Sequence, residues 1–258
     1  AEVEFKYTTS ATIIPDPETV TDWDNERTFR VTSYNGDARE YAYKVVKSEI
    51  ESDGDVELKT TEEVASFAAT KTTVVKGNLI IGSDAEEAEK ITDISALASL
   101  KEVTGNIVIR NSYNGADLTG LDNIVSAGGL QVGSTDVASK ATELHMISMK
   151  ALETLSGDIS VYNDQVTYVL FEKLATIGGS VMFNAPSLQS FEFPVLTTVG
   201  QDLNIQGLNE ENKAAGTIAT LELPELTSVV GVLSVNNLAK LTSMNFLKLK
   251  ETGGLYFH

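Results

Sequence analysis

A chain of 258 residues with 42% hydrophobic and 22% charged residues has a globular composition, long enough for one large or two modest domains. Its 37 acidic against 19 basic residues give a net charge of −18, a field that repels nucleic-acid backbones and anionic membrane surfaces, so nucleic acid is excluded as a partner. Cysteine is absent, which removes disulfides, thiolate metal sites and cysteine nucleophiles together, and no run of about 18 apolar residues is available to span a bilayer.

The first stretch, AEVEFKYTTS, has neither a basic nor an apolar leader segment, as expected of a processed chain or of a piece of a longer one. Residues 28–34 (TFRVTSY) and 39–46 (REYAYKVV) alternate in period two around Asn35-Gly36, which predicts a hairpin with both turn residues left-handed. A lone hairpin is unstable in water, so it must belong to a small β-sandwich, with further strands expected from residues 3–7 and 11–14. The stretch ATIIPDPETVTDWDNERTFRVTSYNGDAREYAYKVV resembles the C-terminal half of the immunoglobulin-like domains of Bacteroidetes surface lipoproteins. The resemblance rests on the Ala-Thr-Ile strand, Asp22-Trp23-Asp24, the Thr-Phe-Arg-Val-Thr strand and the Asn-Gly turn, and it covers about 40 residues. It implies an immunoglobulin-like domain over residues 1–48, incomplete at its N-terminus, and a membrane link only through a lipid anchor upstream of this chain.

Residues 49–58 are acidic and read as a solvated linker; Asp53, Asp55 and Glu57 alternate as in a calcium loop but lack its distal glutamate. Next comes TTEEVASFAATK, in which Thr60 and Glu63 form a capping-box pattern and Val64, Phe67 and Ala68 share one face, predicting a capping helix at about 60–71.

From Val74 a unit of the form L-x-φ-x-x-L-x-x-φ-x-G-x-L-x-φ recurs. Its leading strand hydrophobes are Leu79, Ile107, Leu130, Ile159, Val181, Leu203, Leu233 and Leu255, at intervals of 28, 23, 29, 22, 22, 30 and 22 residues. The longer units carry insertions such as 84–89 and 209–216. Glycine stands two places before the hydrophobe in all but one unit, where a φ-permissive corner is expected. Such a period predicts a mainly β fold: a right-handed β-solenoid of leucine-rich type over residues 59–258. FEFPVLTTVGQDLNI and ATIGGSVMF resemble the receptor L-domain variety of that repeat, found in growth-factor receptors and in microbial surface proteins. The absence of cysteine favours the microbial branch.

If the pairs from Leu79/Ile81 to Leu255/Phe257 point inward, alternation turns Gln131, Met182, Asn204 and Tyr256 outward, and the positions after each pair add Arg110, Tyr162, Asn184, Gln206 and Asn236. These nine residues are the candidate ligand face, weakly charged and suited to an extracellular glycan or protein. No catalytic residue, metal site or cofactor is expected: His145 and His258 lack triad partners, and Gly128–Gly133 lacks the Gly-Lys-Ser/Thr of a phosphate loop. The expectation is a non-enzymatic, cell-surface or secreted binding and adhesion protein. The alternatives are a self-assembling surface component and, more weakly, a polysaccharide-acting enzyme.

Overall fold

The computed structural model describes residues 10–21, 25–44, 49–133, 143–207 and 217–258. The chain is mainly β and divides into two compact units, Ala1–Ser48 and Glu49–His258.

In the first unit Thr12–Ile14 pairs antiparallel with Arg27–Thr32, which pairs antiparallel with Ala38–Tyr43. Phe29 is its buried anchor. The turn differs from the expected one. Ser33 O accepts from Gly36 N–H (3.0 Å), the Ser33 N–H donates to Asp37 O (2.8 Å), and of the turn residues only Gly36 has positive φ, at 86°. This is a type I turn closed by a left-handed glycine, so one conformationally free residue is enough. The strand expected at 3–7, the Asp22-Trp23-Asp24 motif and Val45-Val46 lie outside the described residues.

In the second unit the repeat becomes parallel ladders. The longest runs through Val56–Leu58, Leu79–Ile81, Glu102–Ile109, Ser126–Val132, Ile159–Tyr162, Val181–Asn184, Leu203–Gln206, Ser228–Asn236 and Glu251–Phe257. Every pairing keeps the strand hydrophobes in register, Ile159 against Val181 and Val181 against Leu203. A second ladder of two-residue strands includes Thr154–Leu155, Thr176–Ile177 and Thr198–Val199, and the long strands take part in both. A third contains Met146–Ser148, Tyr168–Leu170, Ser190–Glu192, Thr220–Glu222 and Ser243–Asn245.

Between the third and second ladders the chain reads φ-x-x-φ, and both hydrophobes turn inward: Phe171 and Leu174, Phe193 and Leu196, Leu223 and Leu226 are all essentially inaccessible. One continuous core therefore runs from Leu58 to Leu238. No unit could bury its apolar side alone, since each is covered by its neighbours. The pair Leu255/Phe257, expected to be buried like the other seven, is 57% and 46% exposed, because its strand has a neighbour on one side only among the described residues.

Two further expectations are corrected. Residues 49–58 are not a free linker: Glu51 bridges Val74, Val56–Leu58 pairs with Leu79–Ile81, and Leu58 is buried. Acidic composition hides a strand whose alternate side chains, Val56 and Leu58, face the core. The glycines before each strand do not supply positive φ either; among the described residues that conformation falls to Gly36, Gly54, Gly82, Gly120 and Gly133, and to Lys71 and Asn237. They supply proximity instead. A Cβ on Gly105 would lie 2.7 Å from the Gly77 carbonyl, one on Gly128 2.5 Å from Gly105 O, and one on Gly157 2.7 Å from Gly128 O. The glycines stack on each other across successive units.

Beside them runs a row of Asx caps. Asp55 Oδ1 accepts from the Asn78 N–H (2.7 Å), Asn78 Oδ1 from Asn106 (2.8 Å), Asp158 Oδ1 from Ser180 (2.6 Å) and Asp202 Oδ1 from Val232 (2.7 Å). Each satisfies a backbone donor at the bend of the next unit. The Asn78 N–H and side-chain amide hold the Asp55 carboxyl below its ordinary 3.8. A depressed folded-state pKa contributes stability that is present above the unfolded value and lost as pH falls through the folded one. Asp55→Asn is therefore expected to be less stable than wild type near neutrality, with the gap closing below about pH 4. Urea melts at pH 6.5 and 3 measure it, and an equal gap at both would remove the charge from the explanation.

The expected helix is present at Thr61–Ala69 with its capping box complete: Glu63 N–H donates to Thr60 Oγ1 (3.1 Å) and Thr60 N–H to Glu63 Oε2 (3.2 Å). Val64 and Ala68 are its buried residues. The 84–89 insertion also has structural work: Glu89 Oε1 accepts from the Thr61 N–H (2.8 Å), which lowers the Glu89 pKa, and so supports the same helix N-terminus. The 209–216 insertion lies outside the described residues.

Candidate functional site

The outward rows of the long ladder are straight because the pairing is in register. One row is Gln131, Ser160, Met182, Asn204, Ser234 and Tyr256; the other is Tyr162, Asn184, Gln206 and Asn236. Eight of the nine candidates thus share one face. Arg110 is the ninth and stands apart: its guanidinium pairs with Asp84, and the same carboxylate accepts from the Asn111 N–H (3.1 Å). It is held by an insertion rather than presented along the rows.

The face is not uniformly open. Ser234 is 8% exposed, Tyr256 is 56% exposed, and the other row members except Tyr256 are half-buried. The Oδ1 atoms of Asn184, Asn204 and Asn236 are buried and accept no hydrogen bond from the protein, so a ligand meets these amides only through their remaining atoms. Gln131 and Tyr162 are better placed. They border a shallow cavity of about 320 Å³ on adjacent strands, together with Asn106, Asp158 and Ser160. Gln131 Nε2 donates to Gly133 O (3.1 Å), which fixes the amide plane. Burial pushes the Tyr162 hydroxyl above its ordinary 10.0, so it stays a neutral donor and acceptor at physiological pH.

The cavity also contains a group that the outward strand positions do not include. Asp158 precedes the strand and lends a carboxylate, one oxygen of which is already committed to the Ser180 N–H. Its signal was present in sequence as the recurring Gly-Asx pair (Gly54-Asp55, Gly77-Asn78, Gly105-Asn106, Gly157-Asp158). Among the described residues no group of three or more His, Asp or Glu is arranged to hold a metal ion. His145 is exposed, with Nδ1 3.2 Å from Gln165 O. No described helix is long and apolar enough to cross a membrane. Set against known proteins, the chain matches no family model and no solved structure.

Proposed function

We propose that this is a non-enzymatic extracellular binding protein. In this reading the second unit is a right-handed leucine-rich-type, receptor L-domain-like β-solenoid, the first is an immunoglobulin-like spacer, and the long ladder presents its outer face to a glycan or protein ligand. The observation that carries it is the Gln131–Ser160–Tyr162 cavity: neutral hydrogen-bonding groups and one aromatic ring beside a single carboxylate, Asp158, on rigid in-register strands. The parallel ladders with one strand per unit support the solenoid reading. The likeness of the first unit to lipoprotein domains supports a cell-surface or secreted location, anchored through an upstream lipid. A second reading, a self-assembling surface component, draws on the exposed Leu255, Tyr256 and Phe257 in the last ladder strand.

The test is a binding screen of the chain against immobilised glycans and extracellular matrix proteins beside Gln131→Ala/Tyr162→Ala. Loss of an aromatic anchor and its neighbour is expected to weaken a hit at least about tenfold. A hit of unchanged affinity would move the site off this face. No hit together with concentration-dependent self-association would favour the second reading.

A further inference from the structure

A cavity of about 490 Å³ lies on the second ladder rather than on the face described above. Its edge is a row of hydroxyls. Ser126, Thr154, Thr176 and Thr198 line the cavity from the same position on successive strands and pair directly with one another, and Ser228 continues the row one strand beyond it. At the interstrand spacing of about 4.8 Å this row spans roughly 19 Å.

Threonines elsewhere in the same units have a different use. One residue earlier, Thr197 Oγ1 donates to Ala175 O (3.0 Å) and Thr227 Oγ1 to Thr197 O (2.9 Å), tying one unit to the next. The five hydroxyls of the row make no such bond. They are half-buried or exposed and face solvent. Alongside them Ser156, Gly178 and Gly200 leave a trench without bulk, because a Cβ on Gly178 would lie 2.4 Å from Ser156 O and one on Gly200 2.1 Å from Gly178 O. The trench is thus a by-product of close backbone packing, and it runs across the strands along the stacking direction.

We propose that this groove binds a linear, neutral polysaccharide laid along the stack, at a site separate from the Gln131–Tyr162 face. A hydroxyl both donates and accepts, as sugar hydroxyls do, so a periodic row of them suits a periodic polyol. Charge selects within that class. Glu102 lines the groove and pairs with Ser126 at one end, Glu251 pairs with Ser228 at the other, and Lys76 near Glu102 is already bridged to Glu51 (2.9 Å); with −18 on the protein overall, acidic polymers are repelled. An extended peptide has no unpaired sheet edge to join here, since the backbone of these strands is already used on both sides.

The whole chain is run in native affinity gels containing xylan, mixed-linkage β-glucan or dextran, with polygalacturonate as the charged control. Retardation by at least one neutral polymer, insensitive to salt and absent with polygalacturonate, is expected. Thr154→Val/Thr176→Val keeps shape and strand preference but deletes two hydroxyls, and should weaken retardation about tenfold. Thr176→Arg fills the trench and should abolish it. Gln131→Ala/Tyr162→Ala should leave it intact, so this site and the other face fail independently. Retardation unchanged by both threonine variants, or no retardation by any neutral polymer, overturns the proposal.

Discussion

Gly128→Ala is expected to cost about 3 kcal/mol of unfolding free energy, the upper range for forcing extra volume into packed structure. The methyl group would lie 2.5 Å from Gly105 O, 2.7 Å from Gly105 C and 2.9 Å from Thr104 O. All three are backbone atoms, so no side chain can swing away, and relief requires two ladder strands to part. Gly254→Ala is the matched control. Its added Cβ would meet only the Val232 side chain at 3.6 Å, an ordinary contact, and its φ is not positive. That substitution should be neutral or gain a few tenths of a kcal/mol through the unfolded chain. Urea melts of the two variants separate the roles: a cost at Gly128 alone identifies close approach between stacked units, whereas similar small effects would leave the glycine column without a packing role.

That column also marks where sequence reading stopped. The period of the hydrophobes in the long ladder was legible, because inward positions report burial directly, and Leu79 through Val235 take their expected places. The helix was legible because its capping box is local, three residues wide. The purpose of the glycines was not, since a missing Cβ reads the same whether φ or proximity demands it. The strand at Val56–Leu58 was hidden because its partner begins 23 residues later and its composition is acidic. The ion pair of Arg110 was hidden for a similar reason: the carboxylate that holds it is 26 residues upstream, in an insertion whose charges look merely solvated. The threonines of the hydroxyl row lie outward on strands of only two residues, too short to show alternation. Only stacking the units by register reveals that Thr154, Thr176 and Thr198 are one column.

The second large effect is expected at Phe193, where truncation to alanine should cost about 3–5 kcal/mol. The ring is 1% exposed and sits where two units meet. It stacks on Phe171 of the preceding unit, with centroids 5.1 Å apart, and tilts against Phe191 of its own at 4.7 Å. Phe191 in turn makes an edge contact with Phe183 at 5.0 Å, so one deletion loosens a chain of four rings. Phe193→Leu provides the discriminating comparison. Leucine occupies the equivalent position one unit later, at Leu223, and keeps most of the buried volume, so its cost should stay below about 1.5 kcal/mol beyond the lost ring pairing. If cavity formation dominates, the alanine variant is far weaker than the leucine one in urea melts; if the two cost the same, ring geometry rather than filled volume holds this junction. Because each unit is covered only by its neighbours, the alanine variant should also broaden the transition, as the units on either side of the gap lose their coupling.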